Sequence, residues 1–233
     1  MIRSKLVLLF IACILCIFFH FAWPTSLEAA ELYDGVAAFC FDGDTIKLTD
    51  RRVVRLAGID TPELHNGKEH PQYYAREAMK ELLSLVQGKD VHLISVNEDD
   101  RDHYGRIVAD VILPDGRSLS DIMISNGAAF VYPHKGLEEH FIERLRILQN
   151  KAISERRGMW EFILAMPAAH RTYIGNRQSR RFFTADSPFV QHIKPRNRVI
   201  FGTLMDAFTA GYAPARPCPF WPLVTTTKTT QFD

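Results

Sequence analysis

The sequence predicts an α+β fold: a five-stranded β-barrel with about three helices, followed by a small C-terminal extension. Three observations predict it. Residues 33–60 read as short apolar strands broken by tight turns. The hydrophobic period then switches to that of a helix over 71–87, and two further strand-like runs follow at 91–96 and 105–113.

The elements can be justified in order. Val36 to Phe41 is apolar, and Asp42-Gly43-Asp44 turns the chain. Thr45 to Thr49 alternates, with Ile46 and Leu48 on one face, and Asp50-Arg51-Arg52 turns it again before a third strand, Val53 to Ile59. Tight turns between three strands make a β-meander. In the next segment Tyr74, Ala78, Leu82 and Leu85 share one helical face, and Gly88 supplies a stop. The fifth strand ends at Pro114-Asp115-Gly116. Leu119 to Ser125 reads as a short helix closed by Asn126-Gly127. Leu137 to Ile153 reads as a longer one, with Phe141, Leu145, Leu148 and Ala152 on its stripe and Trp160 packing back after Gly158. Five strands with a helix between the third and fourth is the strand order of an OB-fold barrel.

The first 30 residues have another purpose. Arg3 and Lys5 precede an apolar run from Leu6 to Trp23, and small residues follow at Ala29 and Ala30, which is the layout of a secretory signal. The run is also almost long enough to anchor the chain if left uncleaved. Export is therefore expected, either as a secreted or periplasmic protein or with the N-terminal segment as a membrane tether. The formal net charge is +1, and removing residues 1–30 leaves the remainder neutral, so bulk attraction to a polyanion is not the dominant feature. Cys40 and Cys218 are the cysteines beyond that segment. Two buried thiols are a simpler reading than a disulfide framework.

Three clusters carry candidate chemistry. Asp42-Gly43-Asp44-Thr45 would serve as an ordinary hairpin turn if it stood alone. In Arg55-Leu56-Ala57-Gly58-Ile59-Asp60-Thr61-Pro62-Glu63, Thr61 and Pro62 suit a helix start, but Arg55 in an apolar strand needs an anionic partner. Asp102-His103-Tyr104-Gly105-Arg106 is a charged hairpin whose Arg106 opens the next strand. Together they set acids and two arginines at strand ends. Carboxylate oxygens suit a hard divalent cation, and two arginines can fork onto one phosphate. A spare carboxylate can then orient or deprotonate water for in-line attack on a phosphodiester. His65, His70 and His103 match no zinc spacing and read as surface histidines.

Taken together, in this order and spacing, the three clusters resemble the signature of the staphylococcal nuclease family over roughly Gly35 to Trp160. The resemblance implies a calcium site held by Asp44 and Asp60 through carboxylates and by Thr61 through its carbonyl. It implies Glu63 as general base or water positioner, and Arg55 and Arg106 as ligands of the scissile phosphate. The implied reaction cuts DNA and RNA, with single strands favoured, and leaves 3′-phosphate ends. Tyr104 matches a residue along the substrate phosphates, and Phe130 and Tyr132 match aromatics that stack on the base, with Phe130 lacking a hydroxyl. The alternative reading is an OB-fold that binds nucleic acid or protein without cutting; all five of Asp44, Asp60, Glu63, Arg55 and Arg106 argue against it. A monomer is expected.

Three domains are thus expected: a signal at 1–30, the nuclease-like barrel at 31–163 and an extension at 164–233. Over 164–200 seven cations stand against Asp186 alone, a local charge of +6. The segment Asn197 to Pro214 resembles the small zinc-binding module of the Ada repair protein, but Phe183, Ser187 and Ala215 stand where ligands would be and only Cys218 matches. The resemblance therefore implies a degenerate module without zinc, offering either a basic surface or a loose tail.

Overall fold

The computed structural model describes residues 33–64, 71–96, 100–216 and 218. The signal expected at 1–30, His65, His70 and the last residues, 219–233, lie outside the described residues. The described residues form one compact unit. Among the described residues no helix is long and apolar enough to cross a membrane.

A closed barrel runs in the order β1-β2-β3-β6-β5, built from β1 (Tyr33–Cys40), β2 (Thr45–Leu48), β3 (Val53–Leu56), β5 (Asp90–Ser95) and β6 (Ile107–Ile112). The meander is as expected: β1 pairs with β2 and β2 with β3, all antiparallel. Closure comes from β3 beside β6, a parallel pair that sets Val54 against Ile107. Helix α1 (Ala75–Val86) buries Ala75, Ala78, Leu82 and Val86, and α2 (Leu119–Ser125) is capped by the Ser118 hydroxyl accepting from Asp121 N–H. The long α3 (Glu139–Ser154) buries Phe141, Leu145, Gln149, Ala152 and Ile153.

The third strand departs from expectation. It does not run to Ile59 but ends at Leu56, and Ile59–Asp60 forms a separate β4 paired with β7 (Phe130–Val131). Gly58 makes the break. Its φ is +73°, and a Cβ there would lie 2.6 Å from a Leu145 methyl and 2.7 Å from the Phe141 ring, both on α3. The turn takes Asp60 out of β3 and sets it beside Phe130 of β7, and the next residue, Thr61, meets Asp44 just before β2.

Beyond the barrel, α4 (Trp160–Ile163) leads into a four-stranded sheet of order β10-β8-β9-β11. Its strands are β8 (Tyr173–Asn176), β9 (Arg181–Thr184), β10 (Arg198–Phe201) and β11 (Ala213–Pro214), with α5 (Leu204–Thr209) between the last two. A reciprocal Thr203–Asp206 capping box starts α5. Over 164–216 the described extension is no loose tail. A second core joins Phe130, Ala152, Trp160 and Ile163 of the barrel side to Tyr173, Phe182, Leu204 and Phe208 of the extension. Phe208 sits edge-on to both Trp160 and Phe182, at centroid distances of 4.8 and 5.2 Å. Gln149, fully buried on α3, ties the two sides by hydrogen bonds: its Oε1 accepts from Val131 N–H and its Nε2 donates to the Phe208 carbonyl, each at 2.7 Å.

Candidate active site

The residues singled out in the sequence converge where β2, β3, β4 and the loop before β6 meet. Arg55 leaves β3 on the side away from the core. Its Nη1 lies 2.7 Å from Asp44 Oδ1 and its Nη2 2.9 Å from Asp60 Oδ1, so the charge that looked costly in an apolar strand is paired twice. The two carboxylates hold Arg55 above its ordinary value although its burial works the other way.

Asp44 is almost fully buried. Its Oδ2 accepts from the backbone N–H of Thr61 at 2.9 Å and from the Thr61 hydroxyl at 3.0 Å, and its Oδ1 accepts from Thr45 Oγ1 at 3.0 Å. Burial nevertheless raises its carboxyl well above the usual range, and the nearby Asp42 and Asp60 charges add to this against Arg55. Asp42 in turn accepts from Asp44 N–H and closes the turn.

Arg106 approaches from the other side because β3 and β6 run in parallel. Asp102 fixes it: Nε donates to Asp102 Oδ2 at 2.7 Å, while Asp102 Oδ1 accepts from the N–H groups of Tyr104 and Arg106. Arg106 Nη1 reaches Thr45 Oγ1 at 3.5 Å, so the Thr45 hydroxyl stands between Arg106 and Asp44. Glu63 is held by Gln72, whose side-chain oxygen accepts from Glu63 N–H at 2.7 Å and whose own N–H donates to the Glu63 carbonyl. Burial, then the neighbouring Asp60 charge, raises the Glu63 carboxyl above the ordinary glutamate range.

Asp42, Asp44, Arg55, Asp60, Glu63 and Arg106 line one cleft of about 300 Å³, together with His103, Tyr104, Tyr132, Arg181 and Arg216. Four carboxylates (Asp42, Asp44, Asp60, Glu63) face four guanidiniums (Arg55, Arg106, Arg181, Arg216) there. Arg181 and Arg216 come from the extension and were not anticipated. Arg181 Nη1 donates to Asp60 Oδ2 at 2.8 Å and to the Pro214 carbonyl at 2.8 Å, and its guanidinium lies 3.5 Å over the Tyr132 ring. Arg216 is exposed, with Nε 3.8 Å from Glu63 Oε1. The sequence signalled only a basic stretch. Part of that stretch is turned inward rather than outward, since Arg180 and Arg198 also donate to carbonyls within the extension.

The aromatic expectations divide. Tyr104 is well exposed, beside Arg106 at 5.3 Å. Tyr132 reaches the cleft, though Arg181 takes one face of its ring, and it stacks near His134. Phe130 does not reach the cleft, and its expected stacking role is corrected: it is 2% exposed, with its ring against Phe208 in the second core. The strand ends at Val131, where Tyr132 N–H turns to the Gly58 carbonyl, so residues 130 and 132 no longer share a face.

The donor chemistry fits a hard divalent cation. Asp44 and Asp60 offer carboxylate oxygens, and burial disfavours the ionised form of Asp44 in a way that the Arg55 charge only partly offsets. Among the described residues no three His, Cys, Asp or Glu side chains converge as a ready metal group, and both oxygens of Asp60 are engaged by guanidiniums.

Comparison with known proteins places this geometry. Residues 53–162 match the family described as staphylococcal nuclease homologue, a span that begins at β3 and ends in α4. An uncharacterized endonuclease of Escherichia coli is 36% identical over 147 residues, covering 62% of this chain and 86% of that protein. Endonuclease YncB of Bacillus subtilis is 29% identical over 140 residues, 59% of this chain and 66% of the relative. Endonuclease YhcR of the same organism is 23% identical over 219 residues, which is 84% of this chain but 18% of that larger protein.

Proposed function

This chain belongs to the staphylococcal nuclease family, and from that premise we propose that it is an exported, calcium-dependent nuclease. It hydrolyses phosphodiester bonds of DNA and RNA, favours single strands and leaves 3′-phosphate ends. One observation carries the reading: Arg55, Arg106 and Glu63 face one cleft whose inner wall is the buried pair Asp44 and Asp60. The relatives named as endonucleases support it.

In this reading Arg55 and Arg106 exchange part of their carboxylate contacts for the oxygens of the scissile phosphate, fixing it in line with a water near Glu63. Glu63 takes the proton of that water. Its raised carboxyl is a stronger base than an exposed glutamate, and Gln72 holds the Glu63 backbone in place. Arg106, braced by Asp102, stabilises the charge that builds on the phosphoryl and leaving oxygens. Asp44, Asp60 and the Thr61 carbonyl would hold calcium, which when bound neutralises charge on the phosphoryl oxygens. Tyr104 and Tyr132 border the path of the strand. The extension, with Phe183, Ser187 and Ala215 where the Ada-type module has ligands, serves through its arginines instead.

The test is cleavage of single-stranded DNA at mildly alkaline pH, with calcium or with a chelator, by the parent, Glu63→Ala and Arg106→Ala. Calcium-dependent products with 3′-phosphate ends, reduced at least ~100-fold in both variants, are expected. A folded parent that binds DNA but cuts nothing with calcium, magnesium or manganese would mean a binding barrel instead.

A further inference from the structure

Arg181 is delivered to the cleft by a rigid sheet. On β9 its neighbour Phe182 is fully buried in the aromatic core, and β11 runs parallel beside it with Ala213 opposite Arg181. Two backbone bonds flank the position: Ala213 N–H donates to the Arg180 carbonyl and Ala215 N–H to the Phe182 carbonyl. The guanidinium is therefore not a surface group that wandered in. It is fixed by Pro214 behind, Tyr132 beneath and Asp60 in front. Both side chains of the ion pair are largely buried, with 19% and 15% of their surfaces exposed, so solvent screens it weakly.

The consequence concerns Asp60. Arg55 takes its inner oxygen and Arg181 its outer one, and Asp60 is one of only two carboxylates expected to hold a divalent cation. A cation approaching that carboxylate meets a fixed positive charge already bonded to it. We propose that the extension is a working wall of the active site. In it Arg181 is a positioning residue that holds Asp60 and competes with the divalent cation for that carboxylate, so that residues outside the barrel set the affinity for metal. The same side chain covers one face of Tyr132 and leaves that ring less open to a nucleobase. This inference rests on the proposed metal-dependent reading of the site.

Calcium binding to the full chain, measured by isothermal titration calorimetry without nucleic acid, tests it. Arg181→Ala is expected to bind calcium about tenfold more tightly than the parent, because the competing charge is gone while Asp44 and Asp60 stay. Arg181→Lys keeps a charge but not the fork or the stacking, and falls between the two. Arg216→Ala changes affinity by less than about twofold, since its contact with Glu63 is long and exposed. Should Arg181→Ala not fold, Arg181→Gln removes the charge while keeping a donor within reach and carries the same expectation. A purely structural Arg181 would lower thermal stability and leave calcium affinity unchanged or weaker, and either result overturns the proposal. If neither parent nor variants bind calcium while the parent still cuts DNA, the proposal fails and the nuclease reading stands. If binding tightens as expected and nothing is cut, the proposal stands and the nuclease reading fails.

Discussion

Arg106 on the barrel and Arg181 on the extension line the same cleft, but the partners that fix them lie at very different distances along the chain. Arg106 is braced by Asp102, four residues away, and Arg55 meets Asp60 five residues on. Arg181 meets the same Asp60 across 121 residues. The barrel builds part of its share of the site from pairs only a few residues apart, whereas the extension builds its share by docking a sheet. Local pairs survive as spacing in a sequence and can be read there. A docked pair leaves only two unrelated charges.

The docking is the first place to break this comparison. If the barrel and the extension truly share a core, Phe208→Ala should cost about 3–5 kcal/mol and lower the stability of both together. Far-UV circular dichroism and tryptophan fluorescence should then melt in one transition. Two separated transitions would show that the barrel stands alone. The next contrast is between arginines in the cleft. Arg106→Ala should lower kcat by at least ~100-fold, while Arg216→Ala, exposed and distant from its carboxylate, should change it by less than about threefold. Similar losses in steady-state assays of the two would erase the distinction.

Smaller effects probe the buried acid. The folded carboxyl of Asp44 is raised, so its ionised form works against folding at neutral pH. Asp44→Asn should accordingly raise the Tm of the metal-free protein at neutral pH while abolishing calcium binding. The gain should shrink as pH falls from the raised folded value toward the ordinary aspartate value of 3.8, and vanish below it, where both side chains are neutral. A constant gain across that window would assign it to packing instead. The smallest expected effect is a displacement of the pH profile. Glu63 acts as a base only when ionised and its carboxyl is raised in the free protein, so the acid limb of kcat/KM should lie above the ordinary glutamate range. An acid limb at the value of an exposed glutamate would remove Glu63 from that role.

How much could be read in advance follows the same division. The meander, the three main helices and the five site residues at strand ends were legible because each rests on periodicity or on a turn with its own signature. The single long strand from Val53 to Ile59 was misread because alternation continues through Gly58, whereas the backbone follows the close approach of α3. Phe130 was misplaced for a related reason: a two-residue strand gives alternation nothing to act on. The basic stretch of the extension was visible as charge, but nothing in it says that Arg181 turns inward while Phe182 anchors it. That choice is made by the aromatic core, which draws residues from both the barrel side and the extension.

The buried amide of Gln149 has a consequence of its own. It joins the barrel to the extension by donating on one side and accepting on the other, with no charge in either role. Salt, which screens the exposed Arg216–Glu63 pair at the rim of the cleft, has no charge to act on at this joint. An uncharged fastening thus holds the walls of the cleft in register whatever the ionic strength at its rim.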